Sequence, residues 1–136
     1  MKSMPPIILS SLDQARLLSL LGSKAYGHLP GIDALMDEVD RANVVDPKDV
    51  PPQVVTMNST VRFVDDSSGA EYQFTLVYPD KAGAADSISV LAPVGSALLG
   101  LSVGQSIAWQ VPGGRKLDLR VPEVVRQPEA SGDYHL

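Results

Sequence analysis

The sequence predicts a small α+β fold, a short antiparallel helical hairpin followed by a domain built from an antiparallel sheet and one short helix. Three observations predict it. Hydrophobic residues recur at helical spacing before residue 45 and at a period of two after residue 53. The join between these regions holds Asp46-Pro47 and Pro51-Pro52, so it cannot be helix throughout and reads as a stiff connector. Hydrophobic residues make up 44% of the 136-residue chain and charged residues 20%, which suits a packed core rather than disorder. The expected division is a hairpin over 1–44, a connector over 45–53 and a second domain over 54–136.

The first helix is expected over 12–21, with Ser11 and Gln14 as a capping box and Asp13 in the first turn, where the helix dipole favours an anion. Gly22 and Lys24 mark its end. In the second helix Ile32, Leu35, Met36, Val39 and Ala42 form the apolar stripe, with Asp33, Asp37, Glu38, Asp40 and Arg41 opposite. The glycine-rich stretch 22–31 turns between them.

Five strands follow. Val55, Met57, Ser59, Val61 and Phe63 alternate as one face of the first, and 65–69 is a turn. The returning strand runs over 72–78 with Phe74, Leu76 and Tyr78 on one face. Others are expected at 87–91, 106–111 and 117–125. Between the third and fourth, Pro93 suits the first position of a helix, Ala97, Leu98 and Leu99 bury its face, and Gly100 ends it in a left-handed conformation. Val103-Gly104 turns the chain. Ile107, Trp109 and Val111 then alternate inward, and Pro112-Gly113-Gly114 makes a hairpin turn.

Composition excludes several kinds of chemistry. There is no cysteine, hence no disulfide, thiolate metal site or cysteine nucleophile, and a reducing cytoplasm is the expected location. The net charge is −5, and the only dense basic pair is Arg115-Lys116, so strong direct nucleic-acid binding is not expected. The apolar runs fall well short of the ~20 residues that span a membrane, and no leader pattern is expected at the start. His28 and His135 have no nucleophile near them in sequence. Asp33 and Asp37 share a helix flank and read as its solvated face. The 65–69 turn lacks the alternating acids of a calcium loop, and no helix N-terminus follows Gly113-Gly114 to bind phosphate. No catalytic, metal or cofactor site is expected, and the chain is expected not to be an enzyme.

The segment from Leu91 to Gly114 resembles the C-terminal domain of the bacterial Gre transcript-cleavage factors, whose Ser-Pro-x-Gly-x-Ala-Leu-x-Gly…Pro-Gly-Gly segment docks on RNA polymerase. Across its length the chain more closely resembles the Rnk family, the regulators of nucleoside diphosphate kinase within the Gre superfamily. The segments that carry this are Ile32-Asp-Ala-Leu-Met-Asp-Glu-Val-Asp-Arg-Ala42, Pro52-Gln-Val-Val-Thr-Met-Asn-Ser59, Thr75-Leu-Val-Tyr-Pro79, Ala92-Pro-Val-Gly95 through Gly100, and Gln127-Pro-Glu-Ala-Ser-Gly-Asp-Tyr134. The resemblance implies an FKBP-like C-terminal domain, a truncated coiled coil, and binding of a monomer at the rim of the polymerase secondary channel. It places partner contacts at Leu91, Ala92, Pro93 and Val94, and an arm tip at Lys24, Tyr26 and His28.

Two features separate the chain from a cleavage factor. Helices of about a dozen residues project only roughly 15–20 Å, and the 22–31 tip has no Asp or Glu to help hold a second Mg²⁺. The expected function is therefore a non-catalytic polymerase-binding regulator that competes with Gre-type factors. The alternatives are an active cleavage factor and, from the fold alone, a prolyl isomerase. Where Gre factors carry Asp-Ser-Pro this chain has Leu91-Ala92-Pro93, losing a carboxylate and a helix cap worth ~1 kcal/mol.

Overall fold

The computed structural model describes residues 7–23, 32–66, 68–81, 83, 86–110 and 116–132. The chain opens with a strand, β1 (Ile8–Ser10), that leads directly into α1 (Ser11–Leu21). The cap is Ser10 rather than Ser11: its hydroxyl accepts from the Asp13 amide at 3.0 Å. Ser10-x-x-Asp13 is itself a capping spacing, so two overlapping signals competed. Ser10 prevails because β1 holds it in extended backbone, which a cap requires. Gln14 instead donates its side-chain amide to the Val39 carbonyl of α2 (Ile32–Arg41), joining the start of one helix to the end of the other.

In α2 the expected stripe is buried at Ile32, Leu35 and Val39, with Met36 packed against the core. Glu38 departs from the expected polar face. It is buried and pairs with Arg41 one turn on. β2 (Asn43–Val45) follows α2 and pairs in parallel with β1, and the connector then carries a 3₁₀ turn at Pro47–Asp49.

The main sheet has five strands: β3 (Thr60–Asp65), β4 (Ala70–Val77), β5 (Ser87–Ser89), β6 (Ser106–Gln110) and β7 (Lys116–Arg126), in the order β5-β4-β3-β7-β6. The sheet is mixed rather than antiparallel throughout, because the crossover from β4 returns β5 parallel to it. Within β7, Pro122 lies where the register with β3 shifts, a position that asks for no ladder donor. The expected turn at Pro112-Gly113-Gly114 and the position of Val111 lie outside the described residues; Trp109 is described only as a β6 position paired with Leu117.

The first strand was expected from Val55 but begins at Thr60. Residues 54–57 are buried whatever their parity, so the alternation there is not a strand face. The Val55 amide donates to the Leu101 carbonyl, the Gly100 amide to the Val55 carbonyl and the Met57 amide to Asp13. Asn58 then turns at φ 68°, and β3 follows. One hydrophobic cluster joins Leu9, Leu17, Leu21, Leu35 and Val39 of the N-terminal part to Met57, Phe63, Leu76, Leu98 and Leu119. No helix among the described residues is long and apolar enough to cross a membrane.

Candidate functional site

The site predicted at residues 91–94 forms the entry to α3 (Pro93–Leu98), which starts with proline at its first turn. Ala92 occupies the cap position and offers no side-chain hydrogen bond. Neighbouring serines hold the loop instead. Ser89 Oγ accepts from the Leu91 amide at 3.1 Å, the Ser89 carbonyl accepts from the Ala92 amide at 3.0 Å, and Ser96 Oγ donates to the Val90 carbonyl at 2.7 Å. Gly95 lets the helix sit directly on β5, since an added Cβ would lie 2.1 Å from the Ser89 carbonyl oxygen. At the other end the chain leaves helical backbone at Leu99, whose amide donates to the Gly95 carbonyl. Gly100 then takes φ 78°, but its amide donates to the Val55 carbonyl rather than back to α3, so the glycine turns the chain without capping the helix.

Ala97, Leu98 and Leu99 are buried, so α3 is anchored by its inner face. Leu91, Ala92 and Val94 are half-buried, and Leu91 and Val94 pack against the rim of the core. Val94 also lines a cavity of about 260 Å³ with Phe63, Asp65, Tyr72, Phe74, Ile88 and Leu119. The rings of Phe63 and Tyr72 stack at 5.3 Å and those of Tyr72 and Phe74 at 6.2 Å, while Tyr72 remains 43% exposed. This aromatic cleft beside α3 was not singled out in the sequence. Its signal was the pairing of Phe63 with Tyr72 across a hairpin whose register the 65–69 turn sets.

The arm-tip residues Lys24, Tyr26 and His28 lie outside the described residues. Asp33 and Asp37 are exposed on α2, as a solvated helix flank should be.

A second polar cluster lies between α1 and the sheet. Asp13 is 1% exposed; its Oδ2 accepts from the Met57 amide at 3.2 Å and its Oδ1 from the Tyr78 hydroxyl at 3.4 Å. Burial raises its pKa to about 7, with repulsion from Glu129 adding to the rise; the Met57 amide, the Tyr78 hydroxyl and Arg16 oppose it and lose. Burial and the nearby Asp13 also push Tyr78 upward, so its hydroxyl remains a donor. Glu129 Oε1 accepts from the Thr56 hydroxyl at 2.7 Å. Gln127 donates to the Pro51 and Val54 carbonyls at 2.7 and 2.8 Å. The start of the C-terminal tail thus clasps the connector, which its composition did not indicate.

Residues 50–126 match the family model described as transcription elongation factor GreA/GreB, C-term, and residues 5–45 match the one described as Rnk N-terminus. The chain is 50% identical to the regulator of nucleoside diphosphate kinase of Escherichia coli K12 over 135 residues, covering 98% of this chain and 99% of that protein. The chain belongs to the Rnk family. Among solved structures it is similar to a prokaryotic transcription elongation factor GreA/GreB from Nitrosomonas europaea, at 52% identity and a TM-score of 0.71, covering 90% of this chain and 99% of that one. It is also 32% identical to the transcription elongation factor GreA of Thermodesulfovibrio yellowstonii, over 79% of this chain and 74% of that protein. The GreA/GreB match contains β3 to β7 and the whole of α3, while the Rnk match contains β1, both N-terminal helices and β2.

Proposed function

We propose that this chain is a non-catalytic regulator that docks on RNA polymerase at the rim of the secondary channel and competes there with Gre-type factors. The observation that carries the reading is the α3 foot inside the GreA/GreB match. Its backbone is held by Ser89 and Ser96, and the half-buried apolar groups of Leu91 and Ala92 stand where Gre factors carry Asp-Ser, with half-buried Val94 beyond Pro93. Such a surface replaces polar contacts by apolar packing on the partner. The C-terminal domain, taken as residues 54–136, is FKBP-like in this reading. Residues 1–44 form an antiparallel coiled-coil hairpin joined to it through 45–53, and the chain works as a monomer in the cytoplasm.

The arm blocks and does not cut. The 11 residues of α1 extend about 16 Å at ~1.5 Å per residue, and residues 22–31 include no Asp or Glu. The name of the Escherichia coli relative suggests that nucleoside diphosphate kinase levels lie downstream of this docking.

Pull-down of core polymerase by the intact chain, followed by displacement with a GreA factor, tests the reading. Saturable binding that GreA displaces is the expected result, and no binding at micromolar concentration would overturn it. Faster shortening of RNA in backtracked complexes would replace it with the cleavage-factor reading.

A further inference from the structure

The chain that leaves α3 runs as a seam between the base of the arm and the connector. On one side the Ile8 amide of β1 donates to the Gly100 carbonyl at 3.1 Å. On the other the Gly100 amide donates to the Val55 carbonyl and the Val55 amide to the Leu101 carbonyl, both at 2.8 Å. Val54 and Ser102 form an antiparallel bridge, and the Val103 amide donates to the Gln53 carbonyl at 2.9 Å. β1 pairs in turn with β2, which follows α2, so the seam meets both ends of the helical hairpin. The connector is held a second time by Gln127 at Pro51 and Val54 and by Glu129 at Thr56.

Gly100 is the point where this seam admits no side chain. An added Cβ would lie 2.7 Å from the Ile7 Cβ and 3.2 Å from the Ile8 carbonyl oxygen. Neither atom is the far end of a flexible side chain, so β1 itself would have to move. Ile7 is 3% exposed and belongs to the common core, which leaves it little room to yield.

We propose that Gly100 is the positioning residue that sets the direction of the arm on the α3 foot. No hinge lies between the two, and the seat of α3 on a partner fixes where α1 and α2 point. The consequence for a partner rests on the docking reading, whereas the joint itself does not. Asp13 ties α1 to the Met57 amide, and Leu17 and Leu21 are fully buried in the same cluster as Leu98. A swing of the arm would have to break the seam's backbone pairing and uncover this apolar surface together. Residues 91–94 are held separately, by Ser89 and Ser96, so a change at position 100 reaches the arm rather than the docking contacts.

Gly104 supplies the control. It takes φ 92°, as Gly100 takes 78°, yet nothing lies within 4 Å of an added Cβ. Gly104→Ala therefore carries backbone strain alone, and Gly100→Ala carries that strain plus the encounter with β1. Exchange of the Ile8 amide is measured against that of the Leu76 amide in β4. It is expected to quicken at least about tenfold in Gly100→Ala and to stay within about twofold of native in Gly104→Ala. Equal effects of the two substitutions, or none from Gly100→Ala, would overturn the assignment.

A second measurement leaves Gly100 in place. The chain has no cysteine, so spin labels at Ser19→Cys of α1 and Val125→Cys of β7, both exposed positions, report the direction of the arm. One narrow distance distribution is expected, with the same mean in the free chain and in complex with core polymerase. A broad or two-peaked distribution in the free chain, or a shifted mean in the complex, would overturn the joint. The distribution is expected to shift or broaden in Ile8→Pro, which deletes the amide that reaches Gly100 and leaves the glycine unaltered. No change there would overturn the assignment even where Gly100→Ala fails to fold. Polymerase that does not bind would defeat the docking reading alone, because the free chain decides the joint by itself.

Discussion

Gly95 stands so close to Ser89 that a side chain at position 95 would meet the Ser89 carbonyl oxygen at 2.1 Å and its carbon at 2.9 Å. Both obstacles are backbone, so neither can rotate away. Gly95→Ala should lift α3 from β5 and cost about 1–3 kcal/mol, read as a lower urea midpoint. The same lift displaces Leu91 and Val94, so polymerase binding should weaken along with stability.

The unfilled cap at Ala92 allows the opposite change. Ala92→Ser should place a hydroxyl within reach of the first free amides of α3 and stabilise the chain by about 0.5–1 kcal/mol. Thermal unfolding followed by circular dichroism measures it; an unchanged or lower midpoint would show that the added hydroxyl does not reach the Val94 and Gly95 amides.

Stability should depend on pH through Asp13. Its folded pKa of about 7 exceeds the unfolded 3.8, so the folded state binds more protons between these values. Stability is therefore greatest below about pH 4 as far as this group is concerned, falls as pH rises, and levels off above 7. The full swing is on the order of 4 kcal/mol. Asp13→Asn should remove the dependence, as urea titrations at pH 5 and 8 would reveal.

The tail should stabilise the connector. Gln127→Ala removes both hydrogen bonds and leaves the buried Val54 carbonyl without that donor, while the Pro51 carbonyl keeps the Val54 amide. A loss of about 1–3 kcal/mol is expected, and an unchanged unfolding midpoint would deny Gln127 a structural role.

Docking should respond to charge at the foot but not at the arm. Leu91→Asp or Val94→Asp should weaken polymerase binding at least tenfold while far-UV circular dichroism is retained, since both side chains are half-buried rather than central. Lys24→Asp with Tyr26→Glu should produce no RNA cleavage, because the helices remain near 16 Å long. Cleavage gained by that pair would refute the length argument.

Local chemistry made much of this legible in advance. The stripe of Ile32, Leu35 and Val39, the start of α3 at Pro93 and the left-handed turn at Gly100 all follow from spacing and backbone preference within a few residues. The segments from Ala92 through Gly100 and Ile32 to Ala42 also carried the family. What could not be read locally depended on partners far along the chain. Residues 55–59 alternate like a strand, yet they form a turn because Leu101, Asp13 and Gly100 take their backbone groups. Asp13 reads as an ordinary first-turn acid of a helix, and only its burial in the assembled fold, with Glu129 nearby, raises its pKa to about 7, against the hydrogen bonds from Met57 and Tyr78. Sequence alone indicated the helices, the start of α3 and the family, because those rest on short-range pattern. Tertiary structure decided which polar groups lose water, and desolvation is a property of the assembled neighbourhood rather than of any residue within it.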